Sequence, residues 1–356
     1  MTKLNKLREK LAAADLEAIL IYDELSMRYF TELHISDGAL LITSRSAHIL
    51  TDFRYEEAAE KCAPHNFKIT ITKERTKYIS DILSNEKISR IGFEGDALTF
   101  ADYKNLSDKL DNIEFVDVGD LIHELRSVKS PSEIEAIKCS QEITDLAFAE
   151  LLKRIKTDMT EIEVAAELDY LMRRFGSEGA AFETIAVSGD ASSLPHGVPR
   201  SCKLKRGFLT LDFGSKFNGY CSDMTRTLII GKADKEMKDL YNKVLEAQSS
   251  ALEFITAGVD CSDADKVARD IIDSDPRYKD TFGHSLGHSV GLFIHESPSL
   301  SKRCKGRLLE CGNVITVEPG IYIKGKYGCR IEDMVLIREG DVYNFTKSKK
   351  DLIEIY

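Results

Sequence analysis

Five side chains in the second half of the sequence occupy positions where a buried apolar residue would be ordinary: Asp212, Asp223, His288, Glu318 and Glu332. Asp212 and Asp223 lie in two strand-like runs, residues 208–213 and 220–229, joined through Asn218-Gly219. Asn-Gly is a strong signal for a two-residue hairpin loop, and such a loop fixes the pairing register. That register sets Asp212 opposite Thr225, with Asp223 on the same face two residues along. Diagonal neighbours on one face lie about 7 Å apart, close enough for two carboxylates to share a centre. Buried together, they need a cation, a proton or a dense set of donors to offset their desolvation. For this hairpin alone a plainer alternative stays open, in which Asp212 pairs with Arg226 and Asp223 caps a loop.

Two further segments narrow the choice. Residues 283–298 hold three of the eight histidines, His284, His288 and His295, among glycines. A structural histidine is usually isolated, so such a concentration reads as metal ligation with acid/base work. In residues 314–323 and 329–337, Glu318 and Glu332 interrupt apolar runs, and a loop centred on Gly325 would oppose them on one face, with Pro319 free to kink the first strand. Four carboxylates and an imidazole suit two hard or borderline divalent ions, Mn²⁺, Co²⁺ or Zn²⁺, and oxygen-rich ligation leans toward Mn²⁺.

The elements that must position these groups form two sets. Up to residue 125, apolar runs at 18–22, 39–42, 68–72 and 90–93 alternate with amphipathic stretches, which predicts an α/β domain without a catalytic pattern of its own. Its histidines, His34, His48, His65 and His123, occur singly and read as surface or structural residues. A boundary near 126–131 opens a second domain, 126–356. Ser130-Pro131-Ser132-Glu133 is a capping box with proline at the first helical position, and Ile143, Leu146, Ala147 and Leu151 fall on one helical face. Thr160-Glu161-Ile162-Glu163 starts a second helix that stops at Gly176. A helix over about 234–256 and another opening at Ser262-Asp263-Ala264-Asp265 repeat that order before more strands, a hint of internal duplication.

Bulk properties exclude other classes. A formal net charge of −10 without a dense basic block argues against nucleic acid. The first ten residues carry no apolar run, so neither a signal peptide nor a membrane anchor is expected, and the protein is read as cytoplasmic. Eight cysteines without a C-x-x-C pair read as reduced, buried thiols.

The motifs Asp212-Phe213-Gly214, Ser222-Asp223-Met224-Thr225-Arg226-Thr227, Gly287-His288-Ser289-Val290-Gly291, His295-Glu296-Ser297-Pro298, Val317-Glu318-Pro319-Gly320 and Arg330-Ile331-Glu332-Asp333 resemble those of the pita-bread metallopeptidases, specifically aminopeptidase P and prolidase. Phe182-Glu183-Thr184-Ile185 and Pro195-His196-Gly197-Val198-Pro199 add to the likeness. One departure is Ser289, where the family usually has glycine. The resemblance implies an α+β chain, a pita-bread domain preceded by a smaller creatinase/prolidase-type α/β domain that often serves dimer formation. It implies two metal ions held by Asp212, Asp223, His288, Glu318 and Glu332, which would activate water. Glu318 would shuttle the proton, His295 and His196 would donate to the developing oxyanion, and His284 would lie near substrate. Thr225 and Arg330 would orient the carboxylates. The implied activity is cleavage of an Xaa-Pro bond in a small peptide, with prolidase or a non-catalytic pita-bread binding protein as alternatives and a homodimer as the expected assembly.

Overall fold

The computed structural model describes all 356 residues and divides into two compact units, Met1–Arg126 and Ser127–Tyr356. The first is built from helices α1 (Lys3–Ala13), α2 (Glu24–Thr31), α3 (Glu56–Cys62), α4 (Arg75–Glu86), α5 (Phe100–Lys109) and α6 (Leu121–Ser127), with strands β1 (Ala18–Ile21), β2 (Gly38–Thr43), β3 (Ala47–Thr51), β4 (Lys68–Ile71), β5 (Arg90–Phe93) and β6 (Glu114–Asp117). Thr2, Asp23 and Thr99 start three of the helices by accepting an N3 backbone amide on their side-chain oxygens. The strands form one sheet in the order β4-β3-β2-β1-β5-β6. Central β1 and β2 are buried along their whole length, which is why they read as unbroken apolar runs, whereas the edge strands β4 and β6 carry exposed polar residues.

The second unit repeats one plan twice. Helices α7 (Pro131–Leu151) and α8 (Glu161–Arg174) precede β7 (Ile185–Ser188), β8 (Gly207–Phe213), β9 (Lys216–Phe217), β10 (Tyr220–Cys221) and β11 (Met224–Ile230). Helices α9 (Lys235–Phe254) and α10 (Cys261–Asp273) precede β12 (Gly287–Ser289), β13 (Glu296–Leu300), β14 (Val314–Val317), β15 (Gly320–Ile323), β16 (Tyr327–Arg330), β17 (Asp333–Ile337), β18 (Val342–Asn344) and β19 (Glu354–Ile355). The main sheets run β19-β11-β8-β7 and β13-β12-β14-β17-β18. Apolar residues of α9 and α10 pack on one sheet system, and those of α7 and α8 on β8 and β11.

Ser130 and Thr160 each close a full capping box, with Glu133 and Glu163 as the returning side chains. Three local expectations are corrected. Leu146 is 53% exposed although Ile143, Ala147 and Leu151 are buried, because the burying face follows the i, i+4, i+8 row. The cap of α10 is Asp260 and not Ser262; Asp265 is buried and accepts from Arg269 and from the Leu286 amide. All eight cysteines are free, yet only Cys221, Cys261 and Cys329 are buried, and Cys62 and Cys311 are exposed. No helix is long and apolar enough to cross a membrane.

A buried guanidinium ties the two sheet systems together. Arg226 on β11, 2% exposed, donates from Nη2 to Asp333 Oδ1 at 2.8 Å and from Nη1 to the Glu332 carbonyl at 2.5 Å. Its remaining donors reach the carbonyls of Thr225, Ser348 and Lys349. The other Asp333 oxygen accepts from Gln248, Asn344 and Lys350. Replacing Arg226 with Met would leave Asp333 buried with Lys350 as its remaining charge partner. We expect a loss of about 3–5 kcal/mol in stability, read as a lower urea midpoint by far-UV circular dichroism; a shift under about 0.5 kcal/mol would show the pair to be dispensable.

Candidate metal centre

The hairpin of β8 and β11 pairs Asp212 with Thr225, the register that the Asn218-Gly219 loop dictates. Both loop residues have positive φ, 49° and 80°, as that tight turn requires. The ladder is interrupted between Phe213 and Lys216 on one side and between Cys221 and Met224 on the other, so Asp223 stands in a break and not within a strand. Breaks also carry both glutamates. Glu318 lies between β14 and β15, and Glu332 between β16 and β17. The pairs Val317–Asp333 and Gly320–Arg330 flank that gap in one continuous register, which leaves Glu318 and Glu332 facing each other across it.

The structure gathers all five sequence-chosen positions along one cleft of about 630 Å³ in the second unit. Ligand atoms of Asp223, His288 and Glu332 lie within 4.8 Å of one another. The His288 Nε2 is 3.5 Å from Asp223 Oδ2 and 3.4 Å from Glu318 Oε1. Its Nδ1 faces the Ser289 carbonyl at 3.2 Å, and because a carbonyl only accepts, the ring proton belongs on Nδ1. Burial, and then the neighbouring His295, push the imidazole down to about 4, so Nε2 carries a lone pair. That lone pair faces the carboxyl oxygens of Asp223 and Glu318, an arrangement that a shared cation would satisfy.

The carboxylates are under the same strain. Burial and then the fields of Glu332, Asp212 and Glu318 hold Asp223 well above the usual carboxylate range. Burial, followed by Glu318 and Asp212, does the same to Glu332. Burial lifts Glu318 to about 8, against the opposing pull of Arg330. Asp212 Oδ1 is buried without a hydrogen-bond partner. An orphaned oxygen, a bare imidazole nitrogen and mutually repelling carboxylates are the donor set of a divalent cation site, and these residues fit one.

Neighbouring groups hold the carboxylates in place. Thr225 Oγ1 donates to Glu332 Oε2 at 2.7 Å and accepts from Arg330 Nε at 3.0 Å. Arg330 Nη2 reaches Asp212 Oδ2 at 2.5 Å, so the alternative pairing of Asp212 with Arg226 does not occur. Arg330 Nη1 also donates to the Tyr322 hydroxyl at 2.7 Å, and Tyr322 meets His284 Nε2 at 3.0 Å. His284 Nδ1 donates to the Ser285 carbonyl at 2.8 Å, which engages both of its nitrogens. Burial pushes this ring down to about 3. His196 and His295 are exposed along the cleft, with the His295 ring edge-on to His288 at a centroid distance of 4.5 Å.

Tyr322 was missed from sequence. An aromatic residue in a β-run is what sheet propensity favours anyway, so only its place two residues after Pro319-Gly320, beside an acidic interruption, could have marked it.

The sequence model of Metallopeptidase family M24 matches residues 135–339, and that of the Creatinase/Prolidase N-terminal domain matches residues 3–128. A solved Xaa-Pro dipeptidase from Bacillus anthracis is 39% identical with a TM-score of 0.95, covering 99% of each chain. An X-Pro aminopeptidase from Thermotoga maritima is 35% identical with a TM-score of 0.90, covering 96% of this chain and 98% of that one. The Xaa-Pro dipeptidase of Pyrococcus furiosus is 37% identical over 355 residues, 99% of each chain.

The raised carboxyls make a prediction for metal-free protein. A group whose folded pKa exceeds its unfolded value stabilises the fold at pH below the unfolded value, near 4, and that contribution is lost as pH rises through the folded value, about 8 for Glu318. Chelator-treated protein should therefore melt lower at pH 8.5 than at pH 6, by about 4 °C or more, and added Mn²⁺ should reverse the loss. Glu318→Gln should flatten the slope; a melting temperature equally insensitive to pH in wild type and variant would contradict the electrostatic account.

Proposed function

Because the chain belongs to metallopeptidase family M24, we propose that it is an Xaa-Pro exopeptidase, cutting the bond between an N-terminal residue and a following proline. The observation that carries this reading is the convergence of Asp212, Asp223, His288, Glu318 and Glu332 on one cleft, an arrangement of carboxylates and an imidazole lone pair that bound cations would satisfy. Those five residues would hold two divalent ions, Mn²⁺ by the oxygen-rich donor set. When bound, the ions supply Lewis-acid polarisation of the scissile carbonyl and lower the pKa of water toward neutrality.

The remaining steps belong to the protein's own groups. Burial lifts the Glu318 carboxyl to about 8 in the metal-free protein, and with cations bound it would be ionised, so that it could take the proton of the attacking water and deliver it to the proline nitrogen as the C–N bond breaks. His295 and His196, at the open side of the cleft, would donate to the oxyanion that develops on the carbonyl. Arg330 and Thr225 fix Asp212 and Glu332, so that the oxygen positions do not relax during turnover. Both His284 nitrogens are engaged by Ser285 and Tyr322, so His284 acts on substrate by shaping the cleft wall and not as a free donor.

Two peptide lengths are supported by different observations. Arg330 is the cationic side chain among the residues that line the cleft in this unit, and it is spent on Asp212, Tyr322, Thr225 and Pro195. That favours a substrate whose C-terminus extends out of the cleft, as for aminopeptidase P. The identity to proteins named Xaa-Pro dipeptidase favours the dipeptide.

Mn²⁺-loaded protein should release the N-terminal residue from Xaa-Pro peptides, and Asp223→Asn should lower kcat/KM by about a thousandfold or more. Rates on an Xaa-Pro dipeptide and an Xaa-Pro-Xaa tripeptide decide the length. Equal cleavage of peptides lacking proline would remove the Xaa-Pro assignment, and full activity in the Asp223 variant would remove the metal centre.

A further inference from the structure

Outside the cluster, one buried cation reaches the two histidine-bearing segments at once. Lys129 lies in the segment entering α7, its side chain 1% exposed, and its own amide is anchored to the Gly312 carbonyl at 2.9 Å. Its ammonium donates to Ser289 Oγ at 2.9 Å, to Glu296 Oε2 at 3.2 Å and to the Ser127 carbonyl at 3.3 Å. Ser289 directly follows His288, and Glu296 directly follows His295.

Those two neighbours form a cross-strand pair at an irregularity. Strand β12 pairs with β13 through His288–Ser299 and then Ser289–Glu296, with a register shift between His288 and Ser289. A bulge leaves the local ladder short of hydrogen bonds and free to bend. Lys129 bridges the side chains of the pair across that weak point. Ser289 is held from a second side, since its hydroxyl donates to the Val314 carbonyl at 2.8 Å. Its backbone carbonyl is the acceptor that fixes the His288 Nδ1 proton, so restraint on Ser289 is restraint on the tautomer and tilt of His288.

Glu296 does the matching work on the other segment. Its Oε1 accepts the Phe293 amide at 3.2 Å, which closes the tight loop from Gly291 to Glu296. A Cβ at position 291 would stand 2.3 Å from Glu296 Oε2, so the carboxylate can sit over the loop only because residue 291 is glycine. The closed loop sets His295 edge-on to His288.

We propose that Lys129 is a positioning residue that locks His288 and His295 in their mutual orientation by joining Ser289 to Glu296. This rests on the Xaa-Pro peptidase reading for its kinetic consequence, but not for its structural one. Lys129→Met, which keeps the length of the side chain and removes its donors, should lower kcat by about 10–100-fold with KM within about twofold. Lys129→Arg should recover most of the loss. Amide hydrogen exchange should rise in residues 287–296 of Lys129→Met while the rest of the second unit keeps its protection, and Co²⁺ titrated alone should bind about tenfold more weakly.

A folded Lys129→Met protein with wild-type kcat and unchanged exchange in 287–296 overturns the proposal. So does a lower melting temperature with exchange raised evenly across the unit and kcat unchanged, since that describes a scaffold role. If Lys129→Met fails to fold, Glu296→Gln carries the same test, because it removes the charge partner and retains an acceptor for the Phe293 amide. Wild-type protein that turns over no Xaa-Pro peptide sinks the functional reading instead, and the exchange measurement alone then decides the lock.

Discussion

Four carboxylates confined with one guanidinium are the constraint from which the second unit is organised. Burial and the charges around them, that of Asp212 included, raise the proton affinity of Asp223, Glu318 and Glu332, and Arg330 offsets only part of that effect. Such a cluster folds only if protons or cations neutralise it and if stiff elements prevent the oxygens from moving apart. The surroundings meet the second condition. Thr225, Arg330 and Tyr322 form a hydrogen-bonded chain along one side, and the two sheet systems supply its ends.

Placement at strand interruptions explains how carboxylates reach the centre without wrecking the sheets. A residue inside a continuous ladder has its backbone committed and its side chain perpendicular to the sheet. Asp223, Glu318 and Glu332 sit where ladders stop, and the backbone amides of the two glutamates are redirected to nearby acceptors. The Glu318 amide goes to the Leu286 carbonyl and the Glu332 amide to the Thr225 carbonyl. Each interruption is thereby tied to a different segment, and the active groups inherit the rigidity of the strands on either side. Asp212 is the exception, seated within β8 between β7 and β11.

Much of this was legible in the residue order. Charges inside apolar runs marked the four carboxylates, a concentration of histidines among glycines marked the segment of His288, and Asn218-Gly219 set the register that pairs Asp212 with Thr225. The apolar runs located β1, β2, β4 and β5 of the first unit, while β3 and β6 were obscured because His48 and the acids Glu114 and Asp117 break their hydrophobic pattern. Long-range partnership was not legible. Lys129 precedes a capping box and looks like a solvated basic residue, and nothing local reveals that Ser289, 160 positions on, accepts its proton. Leu146 was misplaced for the opposite reason, since a helical face read from spacing is wider than the stripe a neighbour actually covers.

The wiring between the two sheet systems is reciprocal, and this accounts for the use of arginine. From the first hairpin, Arg226 reaches the Asp333 carboxylate and the Glu332 carbonyl; from the second, Arg330 reaches Asp212. Thr225, between the two, serves Glu332 and Arg330 together. A lysine could neutralise either aspartate but could not also hold acceptors spread around it in a plane, as a guanidinium does. Each arginine therefore does two things with one group: it compensates a buried charge and it fixes the distance between β8–β11 and β16–β17. Because each hairpin supplies the cation that the other's carboxylate requires, neither can shift without leaving a charge unpaired in the interior. The same electrostatics that make the cluster hard to bury thus hold its two halves in register.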